Sequence, residues 1–97
     1  MAKPAPSQVY TTLKLAFPFE TVEGTTISEL SIRRIKVGDM RQVSKQYSHQ
    51  GDVEVALFAL ATGLVFEDMD AMDYYDYSTL QGIYKEMTEG KQLPPKS

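Results

Sequence analysis

The sequence predicts an α+β fold in which an N-terminal β-hairpin packs on about three α-helices in a single small domain. Apolar residues alternate strictly over positions 13–19, which is the period of a strand, and a β-branched stretch follows a Glu-Gly pair. From position 39 onward the apolar spacing changes to the helical period. A chain of 97 residues buries one modest core, so we expect one domain over residues 9–90.

The hairpin is predicted over residues 10–35, with Glu23 and Gly24 as a two-residue turn that pairs Val22 with Thr25. Continued along the strands, this register predicts three further pairs: Phe17 with Leu30, Leu15 with Ile32, and Lys14 with Arg33. The apolar members of these pairs then share one face of the sheet, as a half-buried hairpin requires. Pro18 is compatible with an edge strand, where a missing donor is tolerated.

Three helical regions are predicted after the hairpin, over residues 39–48, 52–64 and 66–89. Asp39 and Asp52 are the predicted N-caps of the first two regions, because a side-chain carboxylate accepts hydrogen bonds from the first turn. Gly63 and Gly90 suit helix ends. The last region is expected in two parts, since Asp73 has the position of an internal N-cap.

The second helical region is apolar on nearly all sides. One stripe holds Val53, Ala56, Leu57, Leu60, Ala61 and Leu64, and the opposite side holds Val55, Phe58 and Ala59. Either other elements cover the helix on both sides, or part of it meets another molecule. In the last region the core-facing arc holds Tyr77, Leu80, Ile83, Tyr84 and Met87, with Tyr74 and Tyr75 outside it.

The two ends of the chain, residues 1–8 and 91–97, contain proline and no apolar periodicity, so flexible tails are predicted there. The N-terminal residues have no apolar segment typical of a secretory signal. The longest uncharged apolar stretch, residues 55–66, is shorter than the ~20 residues that a membrane helix needs. These features predict a cytoplasmic protein without membrane contact.

The net charge of −3 conceals an uneven distribution. Residues 1–45 carry seven Lys or Arg and four Asp or Glu, whereas residues 46–84 carry seven acids and no Lys or Arg. The split is compatible with self-complementation, with a charged partner, or with a solvated acidic helix surface. The basic group Arg33, Arg34, Lys36 and Arg41 is small for nucleic-acid binding in a chain of pI about 5.0.

The residues that carry enzyme or metal chemistry are scarce in this sequence. Cysteine is absent, His49 is the single histidine, and no Gly-x-Ser-x-Gly motif occurs. A calcium loop starting at Asp68 fails, because Asp73 stands where glycine is needed and Thr79 where a bidentate Glu is needed. We therefore predict no enzyme activity, no metal site and no cofactor.

Two motifs carry a resemblance to a known family. Residues 33–40 read Arg-Arg-Ile-Lys-Val-Gly-Asp-Met, and Ala-Thr-Gly-Leu at 61–64 precedes Met69, Met72, Asp73 and Leu80. Over roughly residues 12–88 this order resembles the small tail assembly chaperones of contractile-tailed bacteriophages of the Mu type. Ile35 replaces the usual proline of that family, and the two methionines stand where leucine is common.

The resemblance implies a non-catalytic tail assembly chaperone. Such a protein holds the long tape measure protein before tail tube subunits polymerise around it, in the cytoplasm of the infected bacterial host. It would be absent from the mature virion. The implied partners are the tape measure protein, the tail tube protein and a longer, frameshifted form of the chain itself; the oligomeric state stays open. The alternative function is a small acidic inhibitor, or a decoy that mimics nucleic acid towards a basic partner.

For the chaperone role, the residues predicted to bind the partner are aromatic and basic. Phe58, Tyr74 and Tyr75 are chosen because they lie off the stripes that should face the core. Arg33 and Arg34, from the basic group, complete the set. The alternative for each aromatic residue is ordinary core packing.

Overall fold

The computed structural model describes residues 9–90, which form two strands followed by four helices. These elements are β1 (Val9–Glu20), β2 (Thr26–Arg33), α1 (Val37–Gln46), α2 (Gln50–Thr62), α3 (Phe66–Met69) and α4 (Tyr74–Thr88). The two strands are antiparallel, and the predicted α+β fold class is confirmed. The predicted tails, residues 1–8 and 91–97, lie outside the described residues.

The hairpin forms, but its register differs from the predicted one. Near the open end the pairing follows the series Thr11–Ile32, Leu13–Leu30 and Lys14–Glu29. The three pairs predicted from the sequence are therefore wrong: Phe17–Leu30, Leu15–Ile32 and Lys14–Arg33. In the observed register the like-charge pair is replaced by a Lys–Glu pair, which is the more favourable arrangement across two strands.

The loop that joins the strands is longer than the predicted two-residue turn. The Thr21 N–H donates to the Thr25 carbonyl oxygen at 2.8 Å, and the Gly24 N–H donates to the Thr21 carbonyl oxygen at 2.9 Å. Gly24 has a φ of 89°, in the left-handed region that favours glycine. The connection is a three-residue loop with glycine in its last position, so the predicted Val22–Thr25 pair is wrong.

A bulge in β1 explains the rest of the register error. Between the paired residues Lys14 and Phe19, β1 holds four residues where β2 holds only Ser28. Pro18 lies in this bulge, residues 15–18, where its missing donor removes no ladder hydrogen bond. The bulge also turns Phe17 outward, so that 53% of this residue is exposed, contrary to the prediction that it faces the core.

The first two helices each begin two residues before the predicted cap residue. Lys36 is the N-cap of α1, and Asp39 lies in the first turn, where its carboxylate accepts a hydrogen bond from the Lys36 N–H at 2.9 Å. His49 is the N-cap of α2, and its Nδ1 accepts a hydrogen bond from the Gly51 N–H at 3.2 Å. The N-cap predictions for Asp39 and Asp52 are wrong; both acids favour the helix from its first turn.

Other helix boundaries follow the sequence signals. Gly63 ends α2 with a φ of 78°, and Gly90 follows α4 with a φ of 77°. Asp73 is the N-cap of α4, where its carboxylate accepts a hydrogen bond from the Tyr75 N–H at 3.0 Å. These three predictions are confirmed, and the region 66–89 contains two helices, α3 and α4, separated by residues 70–73.

Helix α2 is covered on both sides by other elements. Phe58, Ala59 and Ala61 belong to a core cluster with residues of the hairpin, α3 and α4. On the other side of α2, Ala56 and Leu57 pack with Val43 of α1. Of the two alternatives for this apolar helix, internal burial is the one observed.

Candidate functional site

Three aromatic side chains are exposed where the β1 bulge meets the start of α4. The exposed fractions are 53% for Phe17, 72% for Tyr74 and 62% for Tyr75. The rings of Phe17 and Tyr75 meet edge to face with their centroids 6.1 Å apart, and Tyr74 stacks on Tyr77 at 6.0 Å. We call Phe17, Tyr74 and Tyr75 the aromatic patch. Exposed aromatic groups that lie together in this way are typical of protein–protein interfaces.

Asp76 connects the two elements that carry the aromatic patch. Its carboxylate is buried, with 1% of the residue exposed. Oδ1 accepts a hydrogen bond from the Ala16 N–H at 2.9 Å, and Oδ2 accepts one from the Phe17 N–H at 3.0 Å. Both donors lie in the bulge, outside the strand pairing. The backbone of Phe17 is therefore fixed against the first turn of α4, which carries Tyr74 and Tyr75.

A second buried carboxylate fixes the hairpin loop in the same way. Asp68 is 7% exposed, and its Oδ1 accepts a hydrogen bond from the Val22 N–H at 2.9 Å. Its Oδ2 accepts one from the Val65 N–H at 3.2 Å. Charge-assisted hydrogen bonds of this kind compensate for the burial of a carboxylate. The bulge and the loop of the hairpin are thus both held by acids from the helical part of the chain.

The acidic run of residues 46–84 therefore has internal roles. Asp68 and Asp76 are buried, and Asp73 caps α4. Glu54 accepts a hydrogen bond from the Tyr77 hydroxyl at 2.6 Å. Burial is the larger cause, and this hydrogen bond the second, of a pKa of Tyr77 raised above its ordinary range. Because Asp68 and Asp76 are buried, the run is not a uniformly exposed acidic surface. The structure gives no observation in favour of the nucleic-acid mimic.

Phe58, one of the predicted contact residues, is in the core. Only 2% of it is exposed, and its ring lies edge-on to the rings of Tyr77 and Tyr84, both at 5.4 Å between centroids. The expectation that Phe58 lies off the core-facing side is wrong, because α2 has core on both sides and no solvent-facing apolar stripe. Phe58 is therefore not available for contact with a partner at the surface of this fold.

Arg33 and Arg34 lie at the open end of the hairpin, away from the bulge that carries the aromatic patch. Arg33 forms a bidentate ion pair with Asp39, with Nη1–Oδ2 at 2.9 Å and Nη2–Oδ1 at 3.1 Å. This hydrogen-bonded pair lowers the pKa of Asp39 and raises that of Arg33. The Arg34 guanidinium lies 5.2 Å from the centroid of the Tyr10 ring. The structure does not bring these arginines together with Tyr74 and Tyr75.

Sequence reasoning missed Phe17 and the two buried acids. A proline inside an alternating strand is a signal for a bulge, and Pro18 directly follows Phe17. Pro18 therefore indicated a bulge, but the predicted register with a two-residue turn paired every residue of β1 and contained no bulge. For Asp68 and Asp76 no local pattern distinguishes a buried acid from a solvated one.

Among residues 9–90, no group of three or more His, Asp or Glu side chains is arranged to hold a metal ion. In the same part of the chain, no helix is both long enough and apolar enough to cross a bilayer. The chemistry that the aromatic patch offers is apolar and aromatic contact with another molecule.

Comparison with known families gives a match over most of the chain. Residues 12–89 match the family described as phage tail assembly chaperone proteins, E, or 41 or 14. The chain belongs to the phage tail assembly chaperone family. The match runs from β1 through α4 and so covers both halves of the aromatic patch. Membership in this chaperone family implies a non-catalytic role. No curated protein and no solved structure matches this phage tail assembly chaperone.

Proposed function

We propose that this phage tail assembly chaperone binds the tape measure protein through the aromatic patch and assists assembly of the tail tube. The proposed setting is the cytoplasm of a bacterium infected by a contractile-tailed phage of the Mu type. The tail tube protein and a frameshifted longer form of the chain are further proposed partners. Family membership supports the general role, and the exposed aromatic patch is the observation that carries the binding function.

The patch has the properties of a binding anchor. Aromatic side chains supply a large contact area and lose few rotamers on binding, so they dominate the energy of many interfaces. The Phe17 backbone is already fixed by Asp76, and the Tyr74 and Tyr75 backbone lies in the first turn of α4. A partner therefore meets a surface that is organised before binding, and little ordering entropy is lost.

The size of the patch suits a chaperone that must later leave. Three aromatic residues cover less area than the interfaces of permanent complexes. Apolar side chains of a helical tape measure segment would cover the rings, while exposed acids such as Asp70 keep the complex soluble. Binding of this moderate strength is reversible, so tube subunits can displace the chaperone as they polymerise.

The test is co-purification of the tagged chaperone with the tape measure protein encoded beside it. The variant Phe17→Ser/Tyr74→Ser/Tyr75→Ser removes all three rings. We expect it to recover at least about tenfold less tape measure protein, in line with the loss of an interface anchor. The matched control is Val22→Ser, which removes an apolar side chain that is 71% exposed outside the patch and should leave recovery unchanged.

Both variants must first show the circular dichroism spectrum and unfolding midpoint of a folded protein. The three positions are exposed, and the Phe17 backbone hydrogen bond to Asp76 does not need the ring. Equal recovery of tape measure protein by the folded triple variant would contradict the proposal.

A further inference from the structure

The two tyrosines of the aromatic patch lie in different surroundings. Tyr74 and Tyr75 are successive residues of α4, and the side chains of successive helical residues point about 100° apart. Tyr75 meets the ring of Phe17 at 6.1 Å between centroids, whereas Tyr74 stacks on Tyr77 at 6.0 Å. We call Tyr74 and Tyr77 the stacked pair. The patch therefore offers one aromatic contact at the bulge and a second at the stacked pair.

Each member of the stacked pair has a carboxylate next to it. The Tyr77 hydroxyl donates a hydrogen bond to Glu54 Oε1 at 2.6 Å. Asp73 directly precedes Tyr74, and its Oδ2 accepts a hydrogen bond from the Tyr75 N–H at 3.0 Å. Asp73 is exposed, so its carboxylate is open to a partner that covers Tyr74.

No cation within residues 9–90 pairs with these two carboxylates. Neither Glu54 nor Asp73 forms an ion pair in this part of the chain. No Lys or Arg occurs between positions 46 and 84, and Lys85 lies about three helical turns further along α4. On the hairpin, Lys14 lies opposite Glu29. A cation at the stacked pair would therefore have to come from another molecule.

The buried Asp76 adds to the negative charge of this region. It lies in the first turn of α4, whose N-cap is Asp73. The N-terminus of a helix is equivalent to only about half a unit of positive charge, which is less than the charge of two carboxylates. The N–H groups of Ala16 and Phe17 that bond to Asp76 carry no net charge. The start of α4 therefore stays negative beside the exposed rings.

Rings and carboxylates in this arrangement favour a cation. The face of a tyrosine ring attracts a Lys or Arg side chain, and a neighbouring carboxylate strengthens the attraction. An apolar side chain would cover the Tyr74 ring, which is 72% exposed, but would take the Asp73 carboxylate partly out of water without a partner. An acidic side chain would meet like charge. A Lys or Arg avoids both costs.

We propose that the segment bound by the aromatic patch places a Lys or Arg on the Tyr74 ring beside Asp73, and an apolar side chain on Phe17 and Tyr75. On a helical segment the two side chains would be three or four positions apart, because such positions share one face. This inference rests on the proposed function, since the same patch binds the segment, and it adds the chemistry by which a segment is chosen.

Two synthetic helical peptides are the probes for this chemistry. Each has about 20 residues, which is long enough for a stable helix, and one face with Leu at every turn. In the first peptide, Arg stands three or four positions from each Leu; in the second, Gln replaces every Arg. The wild-type chain should bind the Arg peptide about tenfold more tightly at about 150 mM NaCl, measured by fluorescence anisotropy.

Two variants locate the source of this preference. Asp73→Asn removes the charge and keeps a good N-cap, and Tyr74→Leu keeps an apolar side chain and removes the ring face. In each variant the preference for the Arg peptide should fall to about threefold or less. The control Glu23→Gln removes the same charge at an exposed residue of the hairpin loop and should keep the full preference. Circular dichroism and unfolding midpoints check that all three variants fold.

Three outcomes would overturn the inference. The first is equal binding, or no binding, of the two peptides by the wild-type chain. The second is a full preference in both folded variants, Asp73→Asn and Tyr74→Leu. The third is an equal loss of preference in the Glu23→Gln control, which would mean that the net charge of the chain, and not the stacked pair, attracts the Arg peptide.

Co-purification with the tape measure protein separates this inference from the function on which it rests. Asp73→Asn should recover about threefold less tape measure protein than Glu23→Gln. If the variant lacking all three rings loses recovery but Asp73→Asn does not, the patch binds the tape measure protein by apolar contact alone and the cation is excluded. If the variant lacking the rings keeps full recovery, the proposed function itself is wrong.

Discussion

At the scale of single residues, Asp76 determines how the bulge of β1 is held. A bulge leaves backbone N–H groups outside the strand ladder, and a buried donor without a partner costs free energy. Asp76 supplies one carboxylate oxygen to each of two such donors, Ala16 and Phe17. Burial of the carboxylate is tolerated because both of its oxygens accept hydrogen bonds.

Asp76→Asn should destabilise the protein strongly while changing almost no volume. The amide offers one oxygen and one NH₂ group, so one of the two bulge N–H groups would face another donor. We expect a loss of about 2–4 kcal/mol in the free energy of unfolding, measured by urea denaturation. The control Asp70→Asn alters an exposed acid and should change the stability by less than about 0.5 kcal/mol. Equal stability of the two variants would show that Asp76 does not hold the bulge.

The ion pair between Arg33 and Asp39 predicts a dependence of stability on pH. The hydrogen bonds from Arg33 lower the pKa of Asp39 in the folded state below its unfolded value of about 4. The pair therefore stabilises the protein fully above pH 4, and this contribution is lost as the pH falls through the lowered pKa. Arg33→Gln should cost about 1 kcal/mol at pH 7, and the difference from wild type should shrink towards pH 2.

The control for this experiment is Arg34→Gln, because the Arg34 guanidinium lies over the Tyr10 ring and forms no ion pair within residues 9–90. Its difference from wild type should stay constant between pH 2 and pH 7 in the same unfolding measurements. If the Arg33 variant showed the same constant difference, the ion pair would not be the source of its stability.

At the scale of secondary-structure elements, the glycines of the helices have opposite roles. Gly82 lies inside α4, and a Cβ built there meets no atom within 4 Å. Gly63 ends α2 with a left-handed φ of 78°, which strains any residue with a Cβ. Gly82→Ala should raise the stability by about 0.5–1 kcal/mol, and Gly63→Ala should lower it by about 1 kcal/mol. Thermal unfolding should show midpoints shifted in opposite directions by roughly 2–8 °C; shifts of the same sign would contradict the assignment.

The helix ends and the hairpin register also differ in how well they could be predicted from the sequence. The ends marked by Gly63, Asp73 and Gly90 could be predicted, because each is set by the local chemistry of one residue. The hairpin register could not, since the bulge around Pro18 depends on Asp76, 60 residues away from Ala16 in the chain. The prediction that Phe58 is a surface contact residue was wrong for a related reason. The exposure of Phe58 depends on which elements cover α2 and not on the period of the helix.

At the scale of the whole molecule, α1 is the helix with the fewest buried residues. Val43 is its one buried residue, whereas α2 buries six. Regions with few buried contacts open at a lower free energy than the global transition. Native-state hydrogen exchange should therefore show lower protection for the amides of α1 than for those of α2 and α4. Equal protection of the three helices would mean that the domain opens as one unit.

The fold class and the family could both be predicted from the sequence, because they depend on periodicity and on motifs spread over the chain. The candidate site could be predicted in part. Tyr74 and Tyr75 lie outside the core-facing arc of α4, as expected, and are exposed. Phe17, which completes the aromatic patch, required the bulge to be known. A site assembled from distant segments follows from the tertiary structure and not from local patterns.

The bond between Asp76 and the bulge also has a consequence for synthesis on the ribosome. The hairpin emerges first, but the carboxylate that accepts its Ala16 N–H is added 60 residues later. Until α4 has left the exit tunnel, the nascent hairpin lacks this partner, and a two-stranded hairpin alone is at most marginally stable in water. The domain can therefore complete its fold only after α4 has left the exit tunnel. A ribosome stalled before codon 76 would carry an incomplete domain, and its aromatic patch would not yet exist.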